Sequence, residues 1–206
     1  MATSQSVLLG IPVSDLVPGL FVGCAGQALL FFTEKGWKIN QMISAKVPLD
    51  KAREDILRSA LDNTDARYLL FVDSDMLLDH FQAYRLVDYL EKNLEVTITT
   101  GLYHKKSPPY GPAAFVWDEK ISNYAEIYPI DYKPLEIDAA GMGAMAIRLD
   151  DIRQKLTRPE GKPYFWFDNL GEDINFCRLV RDAGMRIMLL PQVAPPHMGG
   201  VITTEI

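Results

Sequence analysis

Two stretches of this chain, "SVLLGIPV" at 6–13 and "YLLFV" at 68–72, carry almost no polar side chain. A strand with one solvated face alternates polar and apolar residues, so an unbroken apolar strand must be covered on both faces. That requirement calls for helices above and below a sheet, and the chain supplies them in alternation. The run from Leu20 to Phe32 reads as a buried helix. The segment "KAREDILRSAL" at 51–61 places Ala52, Ile56, Leu57, Ala60 and Leu61 on one helical face, with Asp50 as its N-cap. A third helix spans 80–92, with Phe81, Tyr84, Val87 and Leu90 as its inward stripe. Strands are expected at "KINQMIS" and "VTITT" between these helices. The alternation predicts an α/β fold with a mostly parallel central sheet flanked by helices.

Beyond residue 104 the character changes. Residues 105–135 are rich in Pro and Tyr and show short strands without a helix. "GMGAMAIR", a short helix, a loop at 157–171, a helix at 173–183 and a last strand "RIMLL" follow. With 206 residues and no internal repeat, one domain, 1–206, is expected. The switch from regular α/β to a looser second half suggests a nucleotide-binding front half (about 1–103) and an acceptor-binding back half (about 104–206). A formal charge of -6 argues against nucleic acid or an anionic membrane as the main partner. The apolar run 20–32 is too short to span a bilayer, and the N-terminus lacks the pattern of a signal peptide. Cys24 and Cys177 lie far apart in apolar settings, which fits a reducing, cytoplasmic compartment better than a disulfide framework.

The strand at 68–72 ends in Asp73-Ser74-Asp75. Two like charges side by side at the end of a buried strand repel, and either is expensive to bury alone. Ligands of open parallel sheets bind beyond the carboxyl ends of the strands. In an extended segment both carboxylates would face one cation. Mg²⁺ or Mn²⁺ suits such a pair, since these ions take a few carboxylate oxygens and complete their shell with phosphate and water. The plainer reading is a solvated turn in which Asp73 caps the next helix. A phosphatase of the haloacid dehalogenase type also has an Asp after an apolar strand, but near the N-terminus and with Thr or Val behind it; here Met76 follows Asp75.

A second acidic pair, Glu172-Asp173, opens the helix in "GEDINFCRLVRDAG". The helix macrodipole alone favours carboxylates there. A carboxylate so held, facing the aromatic loop "YFWFDN", is also placed to take a proton from a hydroxyl. Last, His197 stands between a diproline and a diglycine directly after the final strand, a rigid approach that suits a ligand.

Taken in order, these segments resemble nucleotide-sugar glycosyltransferases of the GT-A fold, close to the large family two type. The resemblance runs from Ile11-Pro12-Val13 through "KAREDIL", "LLFVDSDMLL", "TTGLYHKKSPPYGPAAFVW", "EIDAAGMGAMAIR" and "GEDINFCRLVRDAG" to "PHMGG". It implies that Ile11, Pro12 and Val13 border the nucleotide base, and that Arg53 pairs with the diphosphate or with Asp73. Asp73 would touch the ribose or the metal, Ser74 would sit beside the ribose, and Asp75 would bind the metal directly. His197 would be the late metal or diphosphate ligand. Gly141, Met142 and Gly143 would form the loop under the donor sugar. Glu172 and Asp173 would supply the catalytic base, with Asp173 favoured. Trp166 would stack on a sugar face, or else form core beside Phe165 and Phe167.

The implied reaction moves a sugar from a nucleotide diphosphate sugar, UDP foremost, to the hydroxyl of a glycan or other acceptor, with inversion and with Mn²⁺ or Mg²⁺ as cofactor. Two departures stand out. "SDLVPG" follows the first strand where the family usually has a polar segment, and no QxxRW-type element follows the acidic helix, which excludes processive synthases. A sugar nucleotidyltransferase shares the front half, yet "GIPVSDLVPGLF" holds no basic residue for a phosphate loop. A catalytically inactive, glycan-binding member of the fold is the remaining alternative.

Overall fold

The computed structural model describes residues 5–14, 16–128 and 130–198. The two apolar runs form β1 (Ser6–Val13) and β3 (Tyr68–Val72), buried at every position. Side chains alternate across a strand, so each run feeds two cores at once. Leu8, Leu69 and Phe71 join one core, which is closed by Ile56, Leu57, Phe176 and Val180. Val7, Leu9, Tyr68 and Leu70 join the other, closed by Phe21, Phe32, Leu86 and Leu90.

The covering helices are α1 (Gly19–Glu34), α2 (Leu49–Asp62), α3 (His80–Lys92), α4 (Leu149–Lys155) and α5 (Glu172–Asp182). The remaining strands are β2 (Lys38–Ala45), β4 (Ile98–Gly101), β5 (Ala114–Asp118), β6 (Asn123–Glu126), β7 (Leu135–Ile137), β8 (Ala139–Ala140), β9 (Ala144–Arg148) and β10 (Ile187–Leu190). Seven of the strands make one sheet in the order β2-β1-β3-β9-β4-β10-β7. The β1–β2, β1–β3 and β4–β10 pairs are parallel, while β9 and β7 run against their neighbours. The sheet is therefore mostly parallel, as the apolar runs require. A second sheet, β6-β5-β8, is built from the Pro- and Tyr-rich half.

Local signals hold with three exceptions. Asp79 caps α3 through a full capping box, its side chain accepting from Gln82 N at 2.8 Å. Asp50, expected to cap α2, lies inside its first turn, because the helix already starts at Leu49 after Pro48. On α3 the inward stripe is Ala83, Leu86, Val87 and Leu90, while Phe81 is exposed. The largest difference is α1: only Phe21, Ala28 and Phe32 are buried. A helix laid on one side of a sheet buries one stripe, and among the described residues nothing covers the other side of this one. No helix among the described residues is long and apolar enough to cross a membrane.

At Gly10, in the middle of β1, a Cβ would lie 2.6 Å from Ile56 Cγ2, so α2 rests directly on the strand backbone. Gly10→Ala should lower stability by about 1–3 kcal/mol through overpacking, read as a fall of several degrees in Tm; an unchanged Tm would show that α2 can lift away at no cost.

Candidate active site at the carboxyl edge of the sheet

Close packing of α2 at Gly10 brings Arg53, on its second turn, under the end of β3. Arg53 is only 2% exposed. Its Nη2 donates to both carboxylate oxygens of Asp73, at 2.9 and 3.0 Å, and its Nη1 donates to Glu172 Oε1. One guanidinium thus joins the DSD segment to the first turn of α5, across 119 positions of sequence. Burial alone would lower the pKa of Arg53, but Asp73, Glu172 and Asp173 together hold it above its ordinary value. Burial raises Glu172 and Asp173 above the ordinary carboxylate range, against the pull of Arg53.

Asp73, Ser74 and Asp75 do not continue the strand. Met76 N donates to Asp73 O at 2.9 Å and closes a turn, so the period of two that would aim both carboxylates one way is lost. Asp73 turns to Arg53, and Ser74 sits half-buried at the turn. Asp75 points elsewhere: Lys106 pairs with its Oδ2, and His197 Nε2 stands 3.4 Å from its Oδ1. Of the three residues expected around one ion, Asp75 and His197 face each other while Asp73 lies against Arg53. Among the described residues no three metal-ligating side chains cluster. At 3.4 Å His197 Nε2 makes no well-formed hydrogen bond to Asp75, and among the described residues no donor engages the buried Asp75 Oδ1. A buried anionic oxygen beside an imidazole nitrogen fits a hard divalent cation whose other ligands come from phosphate and water.

Burial alone would raise the pKa of Asp75, yet His197 and Lys106 hold it down to about 2. Burial would lower that of His197, but Asp75 and the His104 carbonyl raise it. The chain after β10 fixes this histidine. Leu77 N donates to Pro196 O and Met198 N to Asp75 O, and Met76 and His197 form an antiparallel bridge. His197 Nδ1 meets His104 O at 3.0 Å. The Gly-Gly exit at 199–200 lies outside the described residues.

Ile11, Pro12 and Val13 are buried at the end of β1. With Gly10 paired to Phe71, they run on beside Val72 and the DSD turn. Gly141, Met142 and Gly143 are buried too, and the glycines have a local reason. A Cβ on Gly141 would meet the Tyr103 hydroxyl at 2.3 Å, and Gly143 N donates to that hydroxyl at 2.8 Å while Gly143 O accepts from Asp73 N. Trp166 is half-buried and not core; its Nε1 donates to Asp168 at 3.0 Å, and Lys162 and Arg178 lie over its ring. Phe165 is the core residue, stacked on Phe176, and Phe167 is exposed.

Four residues that sequence reasoning missed hold the site in shape. Glu54, buried on α2, accepts from Tyr164 N and Phe165 N and so ties down the aromatic loop. Asn175 donates to Trp166 O and to Asp168. Tyr103 fills the space beside the glycines, and Lys106 meets Asp75. "KK" at 105–106 was the visible signal for Lys106, but a pair of lysines in a loop ordinarily reads as solvated surface.

No protein-family model matches the chain, and no curated protein matches it in sequence. Solved structures do. The crystal structure of A197 from STIV matches with a TM-score of 0.57 over 91% of this chain and 82% of that one, at 19% identity. GalNAc-T7 with UDP, GalNAc and Mn2+ matches at 0.56 over 98% of this chain and 45% of that one, at 11% identity. A CMP:2-keto-3-deoxy-manno-octonic acid synthetase complexed with CTP matches at 0.51 over 96% and 94%, at 13% identity. The likeness is one of fold: a GT-A-like α/β domain shared by glycosyltransferases and by sugar nucleotidyltransferases.

Arg53→Met would leave Glu172 buried and Asp73 half-buried without their counter-charge, and should destabilise the protein by about 3–5 kcal/mol. Adding Glu172→Gln should restore part of that loss. Urea denaturation of the single and double variants reads both, and an Arg53→Met protein as stable as the parent would remove the bridge from the account.

Proposed function

We propose that the chain is a metal-dependent glycosyltransferase that moves a sugar from a nucleotide diphosphate sugar, UDP-linked by preference, to an acceptor hydroxyl with inversion. The observation that carries this reading is the convergence, at the carboxyl edge of the sheet, of the DSD turn, the acidic start of α5 and His197, tied by Arg53 and by the pairing of 196–198 with 75–77. The fold supports it, being one in which a nucleotide-sugar enzyme has been seen with UDP and Mn2+.

Ile11, Pro12 and Val13 bound the base, and the front half, about 1–103, carries the donor. Asp75 and His197 are the residues that would hold Mn²⁺ or Mg²⁺, which when bound supplies positive charge against the departing diphosphate. Lys106 adds a second cation on the same side of Asp75. Asp173 takes the acceptor proton. Its Oδ1 accepts from Ile174 N at 2.8 Å, and among the described residues no protein donor engages its other oxygen. Glu172 by contrast is committed to Arg53, which makes it a positioning residue. As Asp173 withdraws the proton, the acceptor oxygen bonds to C1 opposite the leaving group, the bond from C1 to the diphosphate oxygen breaks, and the anomeric configuration inverts. The acceptor side is the back half, about 104–206, where Trp166 would meet a sugar face once Lys162 or Arg178 leaves its ring.

A nucleotidyltransferase is the second reading, favoured by the likeness to the CTP-bound synthetase across nearly the whole of both chains. The products separate the two: nucleoside diphosphate from a sugar transferase, inorganic pyrophosphate from a nucleotidyltransferase. Incubation with a panel of nucleotide sugars and Mn²⁺ should release the diphosphate, and formation of pyrophosphate from a nucleoside triphosphate and a sugar phosphate would overturn the proposal.

Asp173→Asn should retain donor affinity and lose about 10²–10⁴-fold in kcat. The base acts ionised, and burial raises its pKa. The acid limb of kcat should therefore fall at a pH above the ordinary Asp value of about 3.9, with activity lost as pH drops through it. An unchanged kcat in Asp173→Asn, or loss confined to Glu172→Gln, would contradict the assignment.

A further inference from the structure

The outer face of α1 presents a pattern that the site does not use. No residue from Gly19 to Thr33 is charged, yet the helix buries only three side chains. Leu20, Gly23, Gln27, Leu30 and Glu34 all lie exposed along one side, with Leu20 and Leu30 at 70% and 67%. From Leu20 onward their spacing of three and four is the seam of a two-helix contact. A Cβ at Gly23 would meet nothing within 4 Å, so the helix backbone there stands open with no side chain over it.

We propose that this seam is an isologous dimer interface, in which α1 of one copy packs antiparallel against α1 of a second copy of this chain. Both halves of the contact are present on the same helix, as a two-fold axis demands. Placed at Gln27, the axis sets Leu30 over the open backbone at the partner's Gly23 and brings the two Gln27 amides together. It also sets Glu34 against the partner's Leu20, in the first turn of the partner's helix. The charges agree. The N-terminus of α1 has no side-chain cap and no acidic residue in its first turn, and its C-terminus has no basic residue in the last turn. Glu34 opposes the dipole of its own helix and complements that of the antiparallel partner. A bilayer is the poorer occupant, since helices that lie on membranes carry Lys and Arg along the polar face, and this face has none while the chain carries a formal charge of -6. The inference stands apart from the proposed reaction.

Sedimentation velocity on the full chain should show a two-chain species whose fraction rises with concentration. Leu30→Glu, at an exposed position where folding is not at stake, should weaken the dimer about tenfold or more by burying an unpaired carboxylate against the uncharged partner helix. Gln27→Cys in a Cys24→Ser background should oxidise to a covalent dimer. A monomer at every concentration, a dimer indifferent to Leu30→Glu, or co-flotation with phosphatidylcholine vesicles that Leu30→Glu abolishes would each overturn the proposal.

Discussion

Arg53 carries a full positive charge where almost no water reaches it, and taking such an ion out of water costs several kcal/mol unless its partners are close and well aligned. Asp73 and Glu172 are those partners. Each of the three is expensive alone, so the strand end, α2 and the start of α5 have to close together. The order of dependence follows from this. Gly10 lets α2 lie on β1, α2 delivers Arg53, and Arg53 fixes the relation between two acidic segments far apart in sequence. Glu54, one residue on, uses the same helix to hold the aromatic loop.

A second set of contacts completes the edge from the other side. The segment after β10 pairs with the DSD turn and presents His197 to Asp75. Tyr103 packs against Gly141 and Gly143, and its ring meets that of His197 edge-on at 5.6 Å. The glycines there are accounted for by the phenol, which needs no ligand. Among the described residues Asp75 Oδ1 is buried without a protein partner, as are Arg53 Nε and Asn175 Oδ1 nearby, and of these three only Asp75 Oδ1 belongs to an anionic group. Uncompensated buried polar atoms are rare and point to function when they occur in a site.

Much of the architecture was legible because its signals are local. Unbroken apolar strands and helical periodicity each depend on neighbours within a few residues, whereas the cap of α3 was not read: Asp79 fills it, where Asp73 had been the candidate. The mostly parallel sheet follows from β1 and β3 needing cover on both faces. The acidic motifs were legible as residue types, but not their pairings. No spacing rule says that Asp73 turns toward Arg53 while Asp75 turns toward Lys106; a single turn hydrogen bond at Met76 decides it. Glu54 and Asn175 were invisible for the same reason, since a polar residue on an amphipathic helix reads as solvated until its partners are known. On α1 the composition suggested burial, and the sheet offered only one side to bury against.

The central claim is that this edge holds a nucleotide diphosphate through a cation shared with Asp75 and His197. Calorimetric titration of UDP, with and without Mn²⁺, tests it most directly in the parent protein and in Asp75→Ala. The account predicts nucleotide binding that strengthens with Mn²⁺ and loses that dependence in the variant. Equal affinity in both proteins, or binding indifferent to Mn²⁺, would contradict it.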